Sequence, residues 1–293
     1  MQIKETRADR WFGLFSYSFV GLFVVCCLIP FWLMVAGSFT AEKTLLLEGY
    51  SLIPTAYSLD AYKLLLQSHT LLNGYGVTLF ITVVGTLSGV AISGLLAYSI
   101  ANPRNRLRNH FSFFVYFTML FSGGLVPFYI LISNWLRLSD TLWAIIVPAL
   151  LQPFLVFLLV NFFRTLPVDL EESARMDGAN ELKVFRSIML PISKPIIATV
   201  ALFYALNYWN EWFYGLLFIG NDDLYPLQLM LRRMISNMQA AKNLVPAGVI
   251  SVNVPSFGIR MAMTVITIGP IVLLYPFIQR YFVKGLTIGA VKG

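Results

Sequence analysis

The stretch LPVDLEESARMDGANELKVFRSIMLPISKP, residues 166–195, interrupts a chain that is otherwise mostly apolar. It holds Asp169, Glu171, Glu172, Arg175, Asp177, Glu181, Lys183, Arg186 and Lys194, which makes it too polar to lie in hydrocarbon. Its punctuation is that of two short helices around a turn. Pro167 suits the first helical position, and Asp169, Glu171 and Glu172 fall where the helix dipole favours negative charge. Gly178 is placed to end the first helix, because the left-handed conformation there is easiest for glycine. Asn180 is placed to cap the second helix; Pro191 and Pro195 close that helix and begin the next element. So polar and well punctuated a segment reads as a surface held against a partner.

Outward from it, the rest of the chain is built of apolar runs. Of 293 residues, 58% are hydrophobic and only 12% charged, against roughly a quarter charged in ordinary soluble domains. A bilayer accommodates such a composition, and a helix needs about 20 apolar residues to cross it. Six runs qualify, at about 11–39, 74–100, 110–132, 141–163, 195–219 and 259–282. They are continuous rather than alternating, so the expectation is an all-α membrane protein, a single transmembrane domain over 1–293, and no barrel. The first run follows Lys4, Arg7 and Arg10 and is too long for a signal-peptide core, so it is expected to remain as a span.

With both termini in the cytoplasm, 14 of the 21 Lys and Arg fall in inside segments and 7 outside, as the positive-inside rule requires. The polar stretch at 166–194 is then cytoplasmic. The loops at about 40–73 and 220–258 are external and rich enough in Pro, Gly and Asn to carry structure of their own. The adjacent Cys26 and Cys27 lie inside an apolar run and read as packing residues, not as a disulfide framework. In the second run Gly85, Gly89, Ser93 and Ala97 recur every four residues, a spacing that allows close helix contact in lipid. In the third, Ser122, Gly123, Gly124 and Pro127 mark a break, read either as a kink or as the lining of a pathway.

The pattern EESARMDGA at 171–179, followed by Phe185 and Leu190-Pro191, resembles the EAA signature of ABC importer permeases. Ser173 departs from the usual alanine, a small change. The tail GLTIGAVKG at 285–293 is similar to that of maltose-type carbohydrate permeases. FSGGLVPFYILI (121–132), NYWNEWFYGLL (207–217) and YPLQLMLRRMI (225–235) resemble a subgroup linked to uptake of polysaccharide-derived saccharides, alginate being one acidic candidate. The resemblance implies a type I ABC importer permease fold with six transmembrane helices and a cytoplasmic coupling helix. It also implies residence in the bacterial cytoplasmic membrane. The implied ATPase-coupling residues are Glu172, Ala174, Asp177, Gly178, Ala179, Phe185 and Pro191. The implied partners are a second, homologous permease, two ATPase subunits that bind ATP and Mg, and an extracytoplasmic solute-binding protein. External residues about 243–257 would meet that protein.

Tyr204, Asn207, Asn210, Glu211 and Tyr214 fall on one face if the fifth run is one helix. Amides, a carboxylate and aromatic rings suit a saccharide path, and a carboxylate within a span is costly enough to suggest function. They equally suit hydrogen bonding between helices. Arg232 and Arg233 outside would suit an acidic cargo. His69 and His110 stand alone, without a metal-ligand cluster, and Asp222 and Asp223 read as a solvated turn. The sequence has no GxxxxGK[ST] phosphate loop, so the chain is expected to be a non-catalytic subunit with no cofactor of its own. An ion-coupled secondary transporter or channel is the alternative, and the scarcity of charge within the spans counts against it.

Overall fold

The computed structural model describes residues 7–244 and 257–272. Among these the regular structure is helical, with one isolated bridge between Thr40 and Tyr57. Two helices are alone long and apolar enough to cross a bilayer, and three bent pairs bring the number to as many as five. The expected sixth run is described as a helix over Phe257–Val272; its remainder, and the tail at 285–293, lie outside the described residues.

The chain forms two compact units. The first comprises residues 1–68 and 234–268. Its α1 (Arg7–Ser38) exposes apolar side chains such as Trp11, Phe15 and Phe23, the arrangement of a helix solvated by lipid. Beyond it lie α2 (Glu42–Leu47) and α3 (Asp60–Gln67), so the loop at about 40–73 does carry structure of its own. Phe39 stacks on Tyr62 at 5.0 Å, and the Tyr62 hydroxyl pairs with Ser38 at 2.8 Å. The Glu42 carboxylate accepts from the backbone N–H groups of Phe257 and Gly258 at 2.9 and 2.8 Å. It thereby satisfies donors that the start of the Phe257–Val272 helix would otherwise leave open.

The second unit comprises residues 69–233 and 269–293. Its axis is α4 (His69–Ala101), which is apolar all round and packs against two later helices. Arg108–Leu120 (α5) and Leu125–Ile130 (α6) come next, the latter continued by a π-turn to Trp135. The third expected span is therefore not straight. Its halves meet at 116°, and Gly124, with φ +86°, occupies the break that the Ser-Gly-Gly run announces. Then come α7 (Trp143–Ile146) and α8 (Pro153–Phe163), bent by 44° across their junction.

The polar segment supplies α9 (Val168–Met176), α10 (Glu181–Val184) and α11 (Leu190–Ile192). A π-turn over Phe185–Met189 joins the last two. Pro191 lacks an N–H and crowds the turn before it, which accounts for the widening there. Next is α12 (Lys194–Trp209), with Pro195 in its first turn as expected. The fifth expected span is not one helix to 219. The helix stops at Trp209, and a separate α13 runs over Phe213–Phe218. After it come a turn at Asp222–Leu224 and α14 (Leu227–Leu244).

Small residues on α4 decide where α12 lies. A side chain at Gly85 would collide with the ring of Tyr208, and one at Gly89 would come within 2.8 Å of Tyr204. One turn on, Ser93 hydrogen-bonds the Tyr204 hydroxyl at 2.6 Å, and Ala97 is fully buried. Lipid is as apolar as leucine and gives helices no hydrophobic reason to associate. Close approach and interhelical hydrogen bonds therefore supply the attraction.

Candidate functional site

The polar segment at 166–195 forms as its punctuation implies, with one adjustment. Pro167 is the N-cap, extended at ψ 128°, and Val168 is the first helical residue. At the other end Gly178 has φ +81°. Its N–H donates to the carbonyl of Arg175 at 2.9 Å, and that of Ala179 donates to Ala174 at 3.0 Å. This pair of bonds is the Schellman motif, which closes orphan carbonyls at a helix end and needs a left-handed residue. Asn180 then caps α10, its side chain accepting from the N–H of Lys183 at 2.9 Å.

One side of this double helix is tied to α4. Glu181 receives hydrogen bonds from Arg175 Nε at 3.0 Å, Arg175 Nη2 at 3.1 Å, the Tyr98 hydroxyl at 2.6 Å and Asn102 Nδ2 at 3.2 Å. Arg175 also pairs with Glu171 at 2.8 Å, one turn back on α9, and Arg104 reaches Glu172 at 3.0 Å. Hydrogen bonds from Arg175 hold the Glu181 carboxyl below its ordinary value of 4.5, against burial, which raises it. Reciprocally, hydrogen bonding to Glu181 holds the Arg175 guanidinium above its ordinary value. Phe185 is buried beneath this network. Its ring lies 5.3 Å from that of Tyr98 and 3.5 Å from where a side chain on Gly94 would begin.

The opposite side is bare. Met176 is 88% exposed, and Val168 and Leu170 on the same helix are exposed as well. Of the residues expected to couple to an ATPase, Glu172, Asp177, Gly178 and Pro191 are exposed, while Ala174 and Ala179 are half-buried against the core. Phe185 faces inward. Sequence reasoning did not single out Met176 or the Tyr98–Glu181 bond. The signal for Met176 was an unbranched apolar side chain amid charge, beside a glycine turn.

The five pathway candidates do not share a helix face. Tyr204 is fully buried, and its hydroxyl is used three times: paired with Ser93, donating to the carbonyl of Leu150 at 3.1 Å, and accepting from the N–H of Gln152 at 3.1 Å. Asn207 is exposed on α12. Asn210 is already the C-cap, its amide donating to the carbonyl of Leu206 at 2.8 Å and its oxygen accepting from Gln228 at 3.1 Å. Glu211 lies in the break between helices and accepts from the N–H of Tyr214 at 2.7 Å, which caps α13. Tyr214 packs against Phe128 at 5.6 Å. Arg232 lies 3.7 Å over the ring of Trp212; Arg233 lies over Tyr225 at 4.2 Å and 3.7 Å from Asp222. Asp222 and Asp223 are exposed in their turn.

Residues 89–288 match the family described as "Binding-protein-dependent transport system inner membrane component". The chain is 41% identical over 298 residues to Protein LplC of Bacillus subtilis (strain 168), covering 99% of this chain and 98% of that one. It is 38% identical over 288 residues to the polygalacturonan/rhamnogalacturonan transport system permease protein YtcP of the same organism, covering 97% and 99%. The fold is similar to a chain in the crystal structure of a bacterial ABC transporter involved in the import of the acidic polysaccharide alginate. The TM-score is 0.84 at 29% identity, over 96% of this chain and 100% of that one.

Proposed function

Because the chain belongs to the family of binding-protein-dependent transport system inner membrane components, we propose that it carries saccharides across the cytoplasmic membrane as one permease subunit of an ABC importer. The observation that carries this reading is the two-sided cytoplasmic segment. It is fastened to α4 through Glu181 and Arg175 and bare at Met176, Asp177 and Gly178. A rigid, capped helix pair with an exposed apolar side chain at its turn is suited to seat in a cleft of a partner.

ATP and Mg are bound by two ATPase subunits that dock on this turn, and a solute-binding protein delivers cargo on the other side. Both termini lie in the cytoplasm, six helices span the membrane as a single permease domain, and a second permease chain completes the pathway. Alternating access follows from closure of the ATPases, which moves the coupling segment and the spans joined to it. The permease itself supplies no hydrolytic chemistry. The permease name of YtcP and the alginate importer support a saccharide cargo. The exposed amides of Asn207 and Asn210 are suited to sugar hydroxyls, with Glu211 and Tyr214 beside the break in the helix. Tyr204 serves this path as a packing residue, since its ring and hydroxyl are already occupied.

The test is mild-detergent isolation of the tagged chain from its native membrane, with the accompanying subunits identified by mass. ATPase subunits and a second permease are expected. Isolation without ATPases, repeated under crosslinking, would remove the importer reading.

A further inference from the structure

The coupling segment meets α4, a span 65 or more residues earlier in the chain, through a small set of polar contacts. Glu181 stands at their centre. Its two carboxylate oxygens receive four hydrogen bonds from three residues: Arg175 on α9, Tyr98 on α4, and Asn102 in the turn after α4. Arg175 in turn holds Glu171, so one carboxylate links α9, α10 and α4. The Arg104–Glu172 pair at 3.0 Å and the Phe185 ring packed on Tyr98 also meet at this junction, but neither joins all three helices through one group. A cleft of about 490 Å³ opens beside Glu181 between Leu95, Asn105 and Leu182. At that edge directed hydrogen bonds add to the packing of Phe185 on Tyr98 in fixing the angle between the segment and the span. Charge-assisted bonds of this kind are the stronger and more directional class, and a bidentate guanidinium–carboxylate pair adds geometric definition.

We propose that Glu181 is a positioning residue that fastens the coupling segment to the cytoplasmic end of α4, so that α4 is driven directly when the segment moves. This rests on the reading of residues 166–195 as the ATPase-docking segment. The consequence is mechanical. Through covalent linkage alone the segment drives α8 and α12, the helices on either side of it in sequence. Through Glu181 it also drives α4, which lies against both of those helices. The three then move as one body. Without Glu181 the segment can turn against α4, and part of its displacement is lost in that slack.

The experiment uses the full complex with its ATPases and binding protein in lipid nanodiscs. Cys26 and Cys27 are first replaced by serine, and spin labels are placed at the exposed positions Ile92 on α4 and Val168 on α9. The expected result is one narrow label–label distance, the same without nucleotide and after trapping with ATP and vanadate. In Glu181→Ala that distance should broaden and differ between the two states. Stimulation of ATP hydrolysis by the binding protein should fall about fivefold or more, the size of an ordinary coupling free energy, with basal hydrolysis unchanged. Glu181→Gln keeps bonds to Tyr98 and Asn102 and should recover part of both. Tyr98→Phe removes a single bond and should fall between Glu181→Gln and the unsubstituted chain.

A narrow distance and full stimulation in Glu181→Ala would overturn the inference while leaving the permease reading intact. Loss of the ATPases from the Glu181→Ala complex would also overturn it, by making Glu181 part of the docking contact. An unsubstituted complex that contains no ATPase at all would remove the permease reading together with this one.

Discussion

Gly178 is the residue at which backbone geometry and partner contact can be separated. Its φ of +81° is the left-handed conformation, and an added Cβ would meet nothing within 4 Å. Alanine there suffers no collision and bears only the backbone cost, about 1–2 kcal/mol for an L-residue. Asparagine tolerates the left-handed region and should cost less. Arginine bears the same backbone cost as alanine and adds a long cation to an exposed turn. The three substitutions therefore form a graded series. If α9 relieves the strain by unwinding its last turn, the Schellman bonds to Arg175 and Ala174 are lost. A cost of about 1–2 kcal/mol then lowers the population of the docked geometry by about 5- to 30-fold, since about 1.4 kcal/mol is a factor of ten.

The assay is binding-protein-stimulated ATP hydrolysis of the reconstituted complex, normalised to the amount of permease inserted. Gly178→Asn should be close to the unsubstituted chain, Gly178→Ala reduced within that range, and Gly178→Arg abolished with insertion unchanged. Full stimulation in Gly178→Arg would refute the assignment of this turn to the partner. Equal losses in Ala and Arg would assign the whole effect to the backbone and none to the contact.

Gly89→Ala should lower the thermal stability of the detergent-solubilised chain by about 1–3 kcal/mol, because its Cβ would press on the Tyr204 ring at 2.8 Å. Gly76→Ala on the same helix, where nothing lies within 4 Å, should be neutral or slightly stabilising in the same melt. Tyr204→Phe leaves the N–H of Gln152 and the hydroxyl of Ser93 without their shared partner. It should cost about 0.6–1.7 kcal/mol by the same measure, with the cargo selectivity of transport unaltered. The Glu181 carboxyl is depressed below 4.5, so its anchorage is complete above that value and is lost as pH falls through the lower folded value. Hydrogen-exchange protection of residues 168–184, taken relative to the intrinsic rate at each pH, should therefore be alike at neutral and mildly acidic pH and fall only in stronger acid. The stability lost should be under about 1 kcal/mol, because the side chain is 55% exposed and screened by water.

Much of the local structure was legible from residue order alone, because its causes act over a few residues. Gly178 could be read as a helix stop, Asn180 as a cap and 122–127 as a break, since each rests on the conformational range of one residue or the reach of one side chain. Composition fixed the membrane setting, and the four-residue spacing of Gly85, Gly89, Ser93 and Ala97 marked a contact face. The break at Asn210–Trp212 was missed. No glycine or proline announces it, and Glu211 caps the next helix from a position that also fits a helix interior. That one break undid the shared face expected of Tyr204, Asn207, Asn210, Glu211 and Tyr214.

What the sequence by itself determined was the membrane setting, the polar segment at 166–195, and the local stops and caps at Gly178, Asn180 and 122–127. Only tertiary structure decided that Tyr204 is sealed against Gly89, that Phe185 turns inward while Met176 turns outward, and that Glu181 meets Tyr98, 83 residues away. The reason lies in the solvent. A helix such as α4, apolar on every side, carries no polar stripe to say which side meets protein, because lipid and a protein core are equally apolar to it. Its orientation is set by the fit of particular side chains from distant parts of the chain, and that fit exists only once they are brought together.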